Sequence, residues 1–267
     1  MSGGTAQKAH AVVAALRAAE GTSPWRLDRA AVADRLDELI ADPWRIRQGN
    51  TNLCGPASLF KVWLERDPVA AVTYGARLFN DGRAQIGELP VRPSPALVTR
   101  EFGRGRRPVD PSQADWMMMA ALRDTSNRIL RYAGQSGVRE GAAAMTLPGA
   151  LARWLAATGE FASVRDETNL LLRKGIRHAA GLETGPDREV FLLVASEMFR
   201  RPASVLARAR DFVVGQIPNH WVILTSPVEV GPRGIRFQFW SWGSHHAVVV
   251  ARSAFSRCYY GSLSADC

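Results

Sequence analysis

A chain of 267 residues, 46% of them apolar and 22% charged, has ample length for a hydrophobic core and the balance of an ordinary globular protein. No apolar run approaches the roughly 20 residues that a membrane-spanning helix needs, and Cys54, Cys258 and Cys267, with no Cys-x-x-Cys pair, argue against a disulfide framework or a zinc cluster. The net charge of +9 invites a nucleic-acid or anionic-surface reading. However, 31 of the 34 basic residues are arginines spread along the chain, Lys8, Lys61 and Lys174 being the lysines. The densest cluster, Arg100 to Arg107, has one aromatic residue and no series of rings for base stacking. Nucleic acid is therefore not expected as the main partner.

In chain order, residues 5–20 and 28–41 are predicted as amphipathic helices separated by Gly21-Thr22-Ser23-Pro24-Trp25. In the second, Leu27, Val32, Leu36, Leu39 and Ile40 recur at helical spacing, and Asp28 stands where a cap belongs. Asp42-Pro43-Trp44 ends that helix and leads into a loop from Gln48 to Cys54. Behind Cys54, residues Ala57, Leu59, Phe60, Trp63 and Leu64 trace a helical stripe closed by Glu65-Arg66-Asp67-Pro68. Pro68 opens a further helix to Phe79, stopped by Asn80-Asp81-Gly82. Five prolines between residues 83 and 112 predict an ordered, irregular excursion with one short strand. A long helix is expected from Ser112 to Tyr132, a loop from Gly134 to Ala144, and helices over Leu147–Thr158 and Glu167–Lys174.

The character changes near residue 188. Val190–Val194 is predicted as a strand, 203–210 as a short helix, and Trp221–Thr225, Ile235–Trp240 and Ala247–Ala251 as further strands. The expected class is α+β: one domain over 1–267, mainly helical in 1–187 with Cys54, and mainly antiparallel β in 188–267 with His220.

The chemistry concentrates in two places. Cys54, followed by Gly55 and Pro56, opens a helix, where free N–H groups and the positive end of the dipole favour the nucleophilic thiolate. A small buried structural cysteine is the competing reading. A cysteine nucleophile needs an imidazole and donors aimed at the oxyanion. Of five histidines (His10, His178, His220, His245 and His246), His220 stands at the head of an apolar strand in Pro218-Asn219-His220-Trp221-Val222-Ile223. His246, before Ala247-Val248-Val249-Val250, is the rival.

These residues resemble the papain-like cysteine peptidase superfamily. Its members place a glutamine six residues before a cysteine that opens a helix, as Gln48 stands before Cys54. Their histidine follows Asn or Asp and begins an apolar strand, as in Asn219-His220-Trp221-Val222, and a later strand ends in Asn-Ser-Trp-Gly, where this chain has Trp240-Ser241-Trp242-Gly243. The resemblance covers residues 48–60 and 219–243. It implies a papain-like fold, Cys54 as nucleophile, His220 as base, and Gln48 with the Cys54 N–H as oxyanion hole. Trp242 would shield the hydrogen bond of the third member. Trp240 stands where the family has its orienting asparagine. Gln238, two residues earlier, is the candidate replacement, with Glu229 a weaker one and a Cys–His dyad a third option.

The implied activity is hydrolysis of amide bonds through a thioester, as a thiol protease. A cell-wall peptide amidase, a glutamine deamidase and a catalytically inactive papain-like binding module are the alternatives. A domain of this size resembles bacterial effector or toxin proteases, which implies a protein or peptide substrate, a secretion machine, and an immunity or target protein as partners. No cofactor or metal is implied. The first residues, Met-Ser-Gly-Gly-Thr-Ala-Gln-Lys, lack a secretory apolar stretch. The chain is therefore expected to be made in the cytoplasm and to be secreted or injected into a target cell, if at all, by a route that reads no such leader.

Overall fold

The structure, a computed structural model, describes residues 3–102, 112–126, 146–199 and 217–267. It is α+β and divides into two compact units, Met1–Glu160 and Phe161–Cys267. Among the described residues no helix is long and apolar enough to cross a membrane.

The first unit is built of helices: α1 (Gly3–Ala18), α2 (Arg29–Ala41), α3 (Cys54–Arg66), α4 (Pro68–Asp81), α5 (Pro95–Val98), α6 (Gln113–Ser126) and α7 (Pro148–Thr158). Local signals set their ends. The Asp28 carboxylate accepts from Ala31 N at 2.6 Å and Asp67 from Ala70 N at 2.9 Å, each satisfying an otherwise unpaired first-turn N–H. Gly82 (φ +68°) and Gly159 (φ +76°) end α4 and α7 in the left-handed conformation that only glycine adopts cheaply. The predicted stripe on α3 underestimates its burial: every residue from Cys54 to Leu64 is buried, because α4, α6 and α7 pack against it. Phe60, Trp63 and Tyr74 form one aromatic cluster in this core.

The excursion after residue 83 holds two short strands rather than one, β1 (Ala84–Ile86) and β2 (Leu89–Val91), paired as a hairpin. The helix expected to reach Tyr132 is seen as α6 to Ser126. Its remainder, the 134–144 loop, the 203–210 helix and most of the Arg100–Arg107 cluster lie outside the described residues.

The second unit is a seven-stranded antiparallel sheet with β3 (Ser163–Asp166), β4 (Arg188–Val194), β5 (His220–Leu224), β6 (Glu229–Gly231), β7 (Gly234–Ser241), β8 (Ser244–Val250) and β9 (Tyr259–Asp266). The order is β3-β9-β4-β5-β7-β6, with β8 on the other edge of β7. Helices α8 (Ile176–Ala180) and α9 (Arg252–Cys258) complete it. This unit begins at Phe161, ahead of the change of character at 188, because β3 pairs with β9. The helix expected over Glu167–Lys174 is a loop. Glu167 N and Asn169 N donate instead to Ser262 O and Tyr260 O of β9, at 2.9 and 2.8 Å, which removes them from any helical ladder.

Candidate active site

Gln48 and Cys54 belong to the first unit and His220 to the second, and each half is built separately. In the first, Cys54 is the first residue of α3 and is 3% exposed. Leu53 provides no side-chain cap, so the amide end of the helix meets the thiol without a competing carboxylate from that position. Gly55 has no room for a side chain: a Cβ there would lie 2.4 Å from the Thr146 side chain, which covers the helix start.

Three residues that sequence patterning passed over organise this half. Arg123 on α6 is 6% exposed. Burial lowers its pKa to about 10, and the negative charge of Cys54 works in the opposite direction. Arginine stays charged at neutral pH even so. By reciprocity, a buried cation coupled to the thiol favours thiolate. Asp115, also on α6 and fully buried, accepts from Arg35 Nε (3.0 Å) and Nη2 (2.9 Å) and from Arg47 N (3.0 Å). Arg35 in turn donates to Arg45 O at 2.6 Å. Burial disfavours the Arg35 charge, but its bonds to Asp115 and to Glu38, the latter at 2.6 Å, together outweigh this and raise its pKa. This network ties the chain immediately before Gln48 to α2 and α6.

Gln48 is 5% exposed and closes a tight turn. Its Nε2 donates to Thr51 O at 3.1 Å, while Thr51 N and Oγ1 donate back to Gln48 O. One amide hydrogen is therefore committed within the turn, and an amide nitrogen carries two. The Gln48 Oε1 is buried with no hydrogen-bond partner among the described residues.

In the second half, His220 is the first residue of β5 and is 4% exposed. Its Nε2 lies 2.8 Å from Ser241 Oγ. Burial, with a further contribution from His246, pushes its pKa down to about 3, so the ring is neutral at pH 7. The Trp242 ring stacks on it with centroids 4.4 Å apart and planes 13° apart. Trp242 and Gly243 form the two-residue turn between β7 and β8 with φ of +51° and +74°. That turn geometry suits Asn-Gly, and a tryptophan in it carries strain. The stack on His220 and edge contacts to Phe199 and His246 hold it there.

The register places Gln238 and His220 on opposite faces of the sheet. Ile223 pairs with Trp240 and Leu224 with Phe239, so Trp240 and Gln238 share the Ile223 face. His220 alternates onto the opposite face, with Phe239 and Ser241. Gln238 is exposed, and its N–H donates to Ser226 Oγ at 2.9 Å. Glu229, on β6, lies 3.9 Å from Arg236. The side chain at the His220 ring nitrogen is Ser241. The rival His246 pairs with Phe239 and so shares the His220 face. Its Nε2 donates to Ser241 O at 3.1 Å and is 3.0 Å from Ser244 Oγ.

Replacing Arg123 by Met is expected to raise the Cys54 thiol pKa and so slow its alkylation at neutral pH. Arg123→Lys keeps the charge and most of the rate. Equal thiolate absorbance across pH in wild type and Arg123→Met would remove Arg123 from the site.

Among the described residues no group of three or more His, Cys, Asp or Glu side chains is placed to hold a metal ion. No family model, curated protein or solved structure matches this chain.

Proposed function

We propose that the chain is a cysteine-nucleophile hydrolase of amide bonds, papain-like in its chemistry, acting on protein or peptide substrates. The observation that carries this reading is a buried thiol at a helix start, Cys54, on a helix packed against α6, whose buried Arg123 feels the thiol's charge. A structural cysteine needs no such neighbour, and burying an arginine beside it costs free energy. His220, at the head of β5 with Nε2 2.8 Å from Ser241 Oγ, is the proposed base of the other unit.

In this reading Cys54 is the nucleophile and His220 the base, acting through Nδ1 because Nε2 is engaged with Ser241. His220 takes the thiol proton as Sγ attacks the carbonyl carbon, and Arg123 lowers the cost of the resulting thiolate. The oxyanion accepts from the second Gln48 amide hydrogen and the Cys54 N–H. Collapse expels the amine, which takes its proton from His220, and leaves a thioester. Water, deprotonated by His220, then releases the acid and restores the thiol. The unpartnered Gln48 Oε1 is an acceptor suited to a substrate N–H.

The test is alkylation of each cysteine, followed by mass spectrometry from about pH 4 to pH 9, with thioester trapping on a peptide pool. Cys258, whose pKa burial pushes up, and the exposed Cys267 are internal controls. Cys54 is expected to react well below the pH of either control. His220→Ala should spare that reactivity yet abolish thioester turnover, because neutral His220 moves protons rather than holding the resting charge. Loss of turnover through His246→Ala alone would move the base to His246. If Cys54 reacts no faster than Cys258 and forms no thioester, the hydrolase reading fails and the chain is a binding module.

A further inference from the structure

Leu170, Leu171 and Leu172 are 42%, 86% and 68% exposed, three consecutive leucines facing solvent in one loop of the second unit. Their exposure is built in. Asn169 Oδ1 accepts from Leu171 N (2.9 Å) and Leu172 N (2.8 Å), turning the chain at the tip. Both stems are tied to β9: Glu167 N to Ser262 O, Asn169 N to Tyr260 O, and Lys174 N to Tyr259 O at 3.1 Å. Gly261 has φ +113°, and a Cβ there would lie 2.4 Å from Glu167 O. A side chain on β9 at that point would push the loop off the sheet. The strand thus gives up a residue position to seat the stem that carries the leucines.

Charge surrounds the tip asymmetrically. Arg173, Lys174 and Arg177 follow it directly, with Arg165 on the other stem. The acidic neighbours make local surface bonds: Asp166 Oδ1 accepts from Thr168 N and Oγ1, and Glu167 lies 3.6 Å from His178 Nε2. Arg173 is held by Arg257 O at 2.8 Å, with its guanidinium 5.7 Å from the Tyr260 ring centroid.

We propose that this loop is an interfacial anchor that inserts its leucines into an anionic lipid bilayer, with the flanking arginines and lysine at headgroup level. A narrow convex tip of leucines with a basic collar fits a fluid acyl boundary. A protein groove more often takes aromatic or arginine anchors, and leucine is under-represented among them. The net charge of +9 adds long-range attraction to the same surface. Binding of this kind lies in the membrane plane and needs no spanning helix. It is independent of the hydrolase reading, since none of these residues belongs to either half of the candidate site.

The experiment is flotation of the full chain with phosphatidylcholine vesicles, with and without phosphatidylserine, at low and high salt. The wild type is expected to float with the phosphatidylserine vesicles and to release as salt rises. Leu171→Asp/Leu172→Asp should lower the partition about tenfold or more, with an unchanged circular dichroism spectrum and unchanged Cys54 alkylation. Lys174→Gln/Arg177→Gln should flatten the salt dependence while leaving some binding. Equal flotation of the Asp variant and wild type would reduce the effect to charge alone and overturn the proposal. So would no flotation of wild type, or a wild-type self-association that the Asp variant loses, which would assign the tip to a second copy.

Discussion

Between pH 6.5 and about 3 the wild-type protein is expected to lose about 5 kcal/mol of stability through His220. The ring has an ordinary pKa of 6.5, and burial in the fold lowers this to about 3. At about 1.4 kcal/mol per pH unit, that interval is the free energy of keeping the folded ring neutral while the unfolded chain binds a proton. The direction follows from proton counting. Within the window the unfolded state holds more protons than the native state, so stability rises with pH. It is complete above 6.5 and is lost as pH falls. Urea unfolding at successive pH values reads this directly, and His220→Gln should flatten the slope across the window. Parallel slopes in the two proteins would show that the ring protonates in place. His246 adds to the effect, since its positive charge faces the same ring.

Replacing Asp115 by Ala is expected to cost about 3 kcal/mol, the low end for breaking a buried ion pair, because Glu38 still accepts from Arg35 at 2.6 Å. The Arg35 side chain is 11% exposed and donates two bonds to Asp115. The same carboxylate holds Arg47 N next to Gln48, so two effects should separate. Arg35→Met/Asp115→Leu removes both charges and should recover most of the stability, because an apolar pair of similar bulk replaces a buried ion pair at little cost. It should not recover thioester formation, because nothing then fixes the chain before Gln48. Urea midpoints and thioester trapping on the three proteins distinguish the roles. A loss under about 1 kcal/mol in Asp115→Ala would mean that water replaces the carboxylate.

How far the sequence could be read depended on the range of the interaction behind each feature. The cap at Asp28, the stop at Gly82 and the helix start at Cys54 rest on bonds within about four residues, and patterning located them. The strand headed by His220 was legible for the same reason, as an unbroken apolar run. β9 was missed because Gly261 and two serines break its alternation. Its strand character comes from β3 and β4 on its two edges. The 167–174 stretch was mistaken for a helix because β9 claims its N–H groups, and β9 lies some ninety residues later.

The sequence by itself determined that the protein is α+β, that a cysteine opens a buried helix and that a histidine heads a core strand, since each follows from local periodicity and end chemistry. Tertiary structure alone decided what surrounds them. Alternation along β7 puts Gln238 and Trp240 on one face and Phe239 and Ser241 on the other, but only the pairing of Ile223 with Trp240 states which face His220 shares. Register is a long-range choice, and a shift of one residue would have exchanged the candidates. Arg123 and Asp115 were invisible for the same reason. On α6 they read as polar positions in an apolar helix, and their roles exist only because the packing of α6 carries them to Cys54 and to the chain before Gln48.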